Sequence, residues 1–330
     1  MVANSLLNLA FLSFYSASLL LLLPFQPFAA SRGPFLPKYD AGNAGLPLSG
    51  ICSAAVTING YKCQEFDVTT DDGYILSVLR IPEGRAGGGG ANRPPVLLQH
   101  GLLVDGMSWL MNPPEESLAL ILADNGFDVW ISSVRGTQFS RRHLTLDPSN
   151  SILETYGPPE FNPRGEAEAT FIESLCAYPG VDCYKFLPAF TGNNCCLNAS
   201  TAETFVKHNP QPTSTKNLVH FSQAVRSGVV SKYDYGNGYA NTEHYGVPSP
   251  PVHDLSKIPH DFPLYLGYGG QDALSDVPDV LRLLDVLKPH DQDKIKVQYV
   301  EQYGHVDFIM GVDAKDLVYG EILDFFRAHN

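Results

Sequence analysis

From residue 65 to residue 81 apolar and polar positions alternate with a period of two, broken only at Asp72-Gly73. An Asp-Gly pair between alternating runs predicts an antiparallel hairpin. Further along the pattern changes. Residues 95–99 form a short apolar run, residues 115–125 carry an apolar stripe of helical period closed by Gly126, and residues 127–131 are apolar again. Strand, helix and strand in that order predict a parallel pair in an α/β sheet. The pattern returns near the C-terminus. Residues 263–267 read as a buried strand, 277–287 as a helix behind the cap candidates Ser275 and Asp276, 294–300 as a strand, and 314–329 as an amphipathic terminal helix. Residues 151–255 differ from both flanks, with proline clusters, four of the six cysteines and helix-like runs such as 221–226. They predict a cap inserted into an α/β core made of residues 31–150 and 256–330. Residues 31–50 carry no element signal, and Gly87 to Gly90 read as a loose connector.

The first thirty residues stand apart. Residues 6–23 are predominantly apolar and uncharged, and Ala29-Ala30 follows, which predicts a secretory signal over residues 1–30. The absence of Lys or Arg before this run keeps an uncleaved anchor as the alternative. Entry into the secretory pathway is thus expected. It permits disulfides, and six cysteines allow 15 pairings. Cys52 with Cys63 is a local candidate, and Cys176, Cys183, Cys195 and Cys196 supply up to two more bridges. A zinc site on these four is the alternative, but their spacing is not a common ligand spacing. No metal and no cofactor are expected. Asn198-Ala199-Ser200 is a glycosylation acceptor pattern. With 22 Lys and Arg against 35 Asp and Glu, the net charge of -13 would repel a polyphosphate backbone, so nucleic acid is excluded as a partner.

In an open α/β sheet, reactive groups collect at the carboxyl ends of the strands. After the run ending at Gln99 comes His100-Gly101-Leu102-Leu103, a turn of the kind that aims a backbone amide into a cleft and supplies one oxyanion donor. After the run ending at Gly267 comes Tyr268-Gly269-Gly270-Gln271-Asp272. Asp272 stands where a carboxylate can orient a histidine, whereas Asp276 and Asp279 fit helix caps. After Val300 comes Tyr303-Gly304-His305-Val306-Asp307. The 33 residues from Asp272 to His305 hold one helix and one return strand, which brings the two loops to the same edge in the acid-then-base order of a hydrolase triad. The third member would be a serine in G-x-S-x-G, and the chain contains none. Ser222 lacks both glycines and lies in an amphipathic run, and Ser174 also reads as helical.

These residues resemble the acid lipase family, the gastric and lysosomal lipases of animals and their plant triacylglycerol lipase relatives. The resemblance rests on Asp71-Asp72-Gly73-Tyr74-Ile75-Leu76, Gln99-His100-Gly101-Leu102-Leu103, Asn125-Gly126-Phe127-Asp128-Val129-Trp130, Val134-Arg135-Gly136-Thr137, Thr191-Gly192-Asn193-Asn194-Cys195-Cys196, Tyr268-Gly269-Gly270-Gln271-Asp272 and Gly304-His305-Val306-Asp307-Phe308, in family order. It implies an α/β-hydrolase fold, a mostly parallel sheet with a cap, and hydrolysis of neutral-lipid esters at a lipid-droplet or membrane surface; it indicates no protein partner. Together with the acidic pI, the resemblance suggests the cell exterior or a vacuole- or lysosome-like lumen. Carried over, Asp272 matches the acid, His305 the base and the Leu102 amide one oxyanion donor. Ser133 stands where the family usually has Asn.

The larger departure lies near residues 146–157. The family's nucleophile strand, its elbow serine and the flanking helices have no counterpart there, so the resemblance implies an incomplete core and an inactive site. A non-catalytic lipid- or partner-binding protein, or a truncated isoform that does not fold, are the alternatives.

Overall fold

The structure is a computed structural model describing residues 50–87, 92–146, 160–161 and 186–329. The signal and lead-in stretches, most of the glycine connector, Ser174, Cys176, Cys183 and the junction after residue 146 lie outside the described residues. Strands β1 (Gln64–Thr69) and β2 (Tyr74–Ile81) form the expected hairpin, with Thr69 opposite Ile75. Its turn closes through Gly73 N donating to Thr70 O at 2.9 Å. Gly73 has φ +89°, and a Cβ there would lie 2.8 Å from His143 Nε2, so both backbone and space call for glycine. Strand β3 (Pro95–Gln99), helix α1 (Leu118–Asp124) and strand β4 (Asp128–Ser132) follow, β3 and β4 parallel with Pro95 opposite Asp128. Helix α1 begins later than the apolar stripe suggests. Ser117 remains extended, its hydroxyl donating to Trp109 O at 2.7 Å, which postpones the first turn to Leu118.

Strand β2 also pairs with β4 and with the short β5 (Arg142–His143), giving the order β1-β2-β4-β3 with β5 set beside β2. Beyond it come β6 (Glu160–Phe161), α2 (Phe186–Thr191), α3 (Ala199–His208), β7 (Thr213–Ser214), α4 (Thr215–Ser227) and α5 (Gly238–Tyr245), with β6 and β7 antiparallel. Asn198, Ser214 and Asn237 cap α3, α4 and α5 through their side-chain oxygens. Ser222 is inside α4, its hydroxyl donating to Leu218 O at 2.9 Å, a helix position and not an elbow. Last come β8 (Leu264–Gly269), α6 (Val277–Val286), β9 (Ile295–Val300), α7 (Asp307–Met310), a wide helical turn Lys315–Tyr319, and α8 (Gly320–Ala328). Strands β8 and β9 are parallel, with Gly269 opposite Val300. The single terminal helix of the sequence reading is thus a wide turn leading into α8.

Among the described residues the β8–β9 pair shares no ladder with the larger sheet, so the described α/β sheet is in two pieces. On β3, Val96 and Leu98 are buried while Leu97 is 64% exposed, leaving one side of the strand's side chains uncovered. Helix α6 buries no residue, and Leu281 and Val286 on it are exposed. In a complete sheet of this class both faces are covered. The pieces meet through side chains instead. Val300, Tyr303, Ala314, Val318, Tyr319 and Leu323 belong to the same buried cluster as Leu79, Ile81, Leu120, Leu122, Val129 and Ile131. Phe127 and Phe326 meet edge-on at 5.9 Å, and Arg327 Nη2 donates to Asn125 Oδ1 at 2.8 Å.

Cys52 and Cys63 are bonded, eleven positions apart; closing so short a loop is worth about 3 kcal/mol in the chain-entropy account. Cys195 is bonded to its neighbour Cys196. Among the described residues, no helix is long and apolar enough to cross a membrane.

The uneven core has a direct consequence. Leu120→Ala, at a fully buried site, is expected to cost about 2–5 kcal/mol, whereas Leu281→Ala, at a site 52% exposed, should fall within about 0.5 kcal/mol of the parent. Urea denaturation of both variants checks this; equal losses would mean that α6 packs against something.

Candidate active site

The register of β8 on β9 sets two loops at one edge. Gly270 N donates to Val300 O at 3.0 Å and Gln271 N to Tyr303 O at 3.0 Å, so the loop after β8 lies directly on the loop after β9. A Cβ on Gly269 would stand 2.1 Å from Tyr303 O, which is why this approach needs glycine. Asp272 and His305 come together there, with Asp272 Oδ2 2.9 Å from His305 Nδ1. The other carboxylate oxygen accepts the amides of Leu274 and Ser275, both at 2.8 Å. The Asp272 side chain is 4% exposed and that of His305 41%. Burial pushes the Asp272 carboxyl up, but the hydrogen bonds from His305, Ser275 and Leu274 outweigh it, and the net shift is downward. An ionised carboxylate on Nδ1 fixes the proton there and leaves Nε2 as the basic nitrogen. His305 Nε2 has no hydrogen-bond partner among the described residues. Asp276 caps α6, accepting Asp279 N at 3.0 Å, and takes no part in the pair.

A third segment fastens these loops. Gly192, at φ +81°, forms a bridge with Asp272, and a Cβ on it would lie 1.7 Å from Gln271 O. Thr191 O accepts the His305 amide at 2.8 Å, and Asn194 Oδ1 accepts the Val306 amide at 3.2 Å. Asp307 is wholly buried and accepts three amides, Gly304 at 2.8 Å, Cys195 at 3.1 Å and Cys196 at 3.2 Å. Burial raises the Asp307 carboxyl above its ordinary range despite those donors. Cys195, Cys196 and Asp307 bring potential ligand atoms close together, but both sulfurs are spent on one disulfide, so this cluster offers no thiolate to a metal. In the sequence the Thr191 and Gly304 motifs stand out only as separate family signatures. That Asp307 and Asn194 tie them is not legible there, because nothing local marks a contact between positions 112 residues apart.

The loop after β3 is built separately. His100 accepts Val134 N on Nε2 at 3.0 Å, so its proton is on Nδ1, which donates to Gly101 O at 2.7 Å. That neutral state agrees with burial, which pushes its pKa down. Leu103 adopts φ +62°, a strained conformation for leucine, and its carbonyl accepts Gln211 N at 2.7 Å. Leu102 is 43% exposed, and its amide has no acceptor among the described residues. Ser133 is buried and accepts Gly106 N at 3.3 Å, which gives the residue standing in place of Asn a share in shaping this loop. Asp105 is wholly buried against His208 of α3 at 3.1 Å and accepts Met107 N at 3.0 Å. The sequence reading missed this pair, whose members are 103 positions apart. Ser108, two residues after Gly106, is buried and donates to Asp105 O, so it is no exposed nucleophile. The structure therefore brings Asp272 and His305 together, while Leu102 belongs to the other sheet piece, and among the described residues no hydrogen bond or ion pair runs from its loop to either. Asn198 is exposed at the start of α3, its Oδ1 accepting Ser200 N at 3.0 Å.

Residues 52–113 match the family model of a partial alpha/beta-hydrolase lipase region. The chain is 42% identical over 366 residues to triacylglycerol lipase 2 of Arabidopsis thaliana, covering 84% of this chain and 88% of that protein. The chain belongs to the acid lipase family. Triacylglycerol lipase 1 of the same plant is 32% identical over 373 residues, with 86% and 92% covered, and human gastric triacylglycerol lipase 28% identical over 361, with 82% and 89% covered. The family is one of lipase-type ester hydrolases. Its relatives are longer inside the match. Since 84% of 330 residues is about 277, roughly 90 of the 366 positions matched to triacylglycerol lipase 2 are residues with no partner in this acid lipase relative.

The lowered Asp272 carboxyl carries a sign. A group whose folded pKa is depressed stabilises the fold above the ordinary carboxylate range and loses that contribution as pH falls through the folded value. Asp272→Asn is expected to cost about 1.5–3 kcal/mol at pH 7, the worth of hydrogen bonds to a charged group, and the gap to the parent should narrow below pH 4. Urea midpoints across pH 3–7 decide it, and a gap independent of pH would show that Asp272 is not held ionised.

Proposed function

We propose that this chain is an acid-lipase-family protein that keeps the acid–base half of an ester-hydrolysis site and is inactive because the nucleophile is absent. In the reaction such a site performs, a serine hydroxyl gives its proton to the histidine nitrogen and attacks the ester carbonyl, and the same nitrogen then protonates the leaving alcohol. Asp272 and His305 have the roles of orienting acid and base. The Leu102 amide has the role of one oxyanion donor; the second follows the nucleophile in this fold class and goes with it. The observation that carries the reading is a basic Nε2 on His305 with no partner among the described residues, in a chain with no G-x-S-x-G. The roughly 90 unmatched positions of the relatives support it, being long enough for a strand, an elbow and its flanking helices.

The substrate class of the parent activity is neutral-lipid ester, triacylglycerol or steryl ester, taken at a droplet or membrane surface. A secretory route to the exterior or a vacuole- or lysosome-like lumen, with a glycan on Asn198, goes with it. A second reading, a non-catalytic lipid binder, draws on the exposed apolar residues Phe221 and Val225 of α4 and on Leu102.

A fluorophosphonate probe is expected to label no serine of the purified chain, and covalent labelling of any serine overturns the proposal. Grafting the stretch of triacylglycerol lipase 2 that has no counterpart in this chain into the junction at residues 146–157 should raise hydrolysis of a short-chain ester by about 10³-fold or more. His305→Ala in the graft should abolish that gain. Flotation with triolein-containing vesicles separates the second reading, which requires saturable binding by the ungrafted chain.

A further inference from the structure

The disulfide between Cys195 and Cys196 is poorly suited to a purely stabilising role. A bridge constrains the unfolded chain more the longer the loop it closes, and this one closes none beyond its own two residues. What it does constrain is local. The amide of Cys195 points at Asp307 Oδ2 and that of Cys196 at Asp307 Oδ1, so two successive N–H groups converge on one carboxylate. Successive amides of this kind form an anion-binding concavity. The ring closed by the two sulfurs restricts both residues to a geometry that holds it. The carboxylate is wholly buried and shares its Oδ2 with Gly304 N at 2.8 Å, one residue before His305. Cys195 is exposed and Cys196 half-buried against the core, and exposed disulfides are the ones open to exchange.

We propose that Cys195–Cys196 is a reversible redox-modification site, reduced by a dithiol, whose state sets how firmly the His305 loop is held. A donor thiolate attacks the Cys195 sulfur and breaks the S–S bond, with Cys196 leaving as thiolate. The donor's second thiol then displaces Cys195 from the mixed disulfide. Two electrons pass to the pair, each cysteine sulfur takes one proton, and the donor becomes a disulfide. Once open, the two residues regain backbone freedom. Asp307 then loses two preorganised donors while remaining buried, a state that burial penalises, and the Gly304 hydrogen bond weakens with it. The site is independent of whether the chain hydrolyses anything, since its readouts are structural.

The full-length oxidised chain is digested without reduction to map the bridge, then titrated natively with dithiothreitol and trapped with N-ethylmaleimide. The expected result is a 195–196 bridge that opens at a dithiol concentration at least about tenfold below that needed for Cys52–Cys63. Amide exchange over residues 304–307 should rise by about tenfold on opening, as expected when hydrogen bonds to a charged group are lost. A Cys195→Ser/Cys196→Ser chain should exchange fast with or without dithiol, and phenylarsine oxide should bind the reduced parent and not this variant. Cys195 or Cys196 found bonded to Cys176 or Cys183, a pair that opens only on unfolding, or opening without faster exchange each overturns the proposal.

Discussion

The two sheet pieces are joined by side chains and not by backbone, and everything else in the molecule follows from that. Among the described residues the C-terminal elements are held by a few large groups, Tyr303, Tyr319, Val318, Leu323 and Val300, driven into the cluster that also contains α1 and β4. At about 1.5–3 kcal/mol each, five such side chains are of the order of a domain's whole margin, about 5–15 kcal/mol. That is enough to dock the pieces, while Leu97 of β3 and Leu281 and Val286 of α6 stay exposed among the described residues.

The same division shows in how the site is built. Asp272 and His305 depend on β8, β9 and the 191–196 segment, and their geometry is set by short backbone contacts that only glycine permits at 192, 269 and 304. The Leu102 loop depends on His100, Ser133 and the contact with Gln211. Among the described residues no strand bridges the two sheet pieces.

Much of this was legible in the sequence. The Asp72-Gly73 hairpin, the β3–α1–β4 unit and the two C-terminal strands follow from period and punctuation, because each is a local pattern with a local cause. Asp272 and His305 were legible because a parallel pair with one crossover fixes where its two loops must lie. Asp307, Asn194 and the Asp105–His208 pair were not, since their partners are about a hundred positions away and nothing in a polar residue's neighbours announces a distant contact. The bridge between adjacent cysteines was also out of reach, as counting thiols leaves every pairing open.

A paired Asp272 and His305 in a chain with no G-x-S-x-G is less paradoxical than it looks. Buried Asp272 is stabilised by three donors, and only one of them is His305; the amides of Leu274 and Ser275 hold it whether or not a proton is ever moved. Asp307 likewise fastens three amides of two loops. A carboxylate that organises a loop is held by the cost of leaving buried donors unpaired, and that cost is independent of any proton transfer. Structural duty alone therefore keeps Asp272 against His305, with the imidazole oriented by its Nδ1 contact.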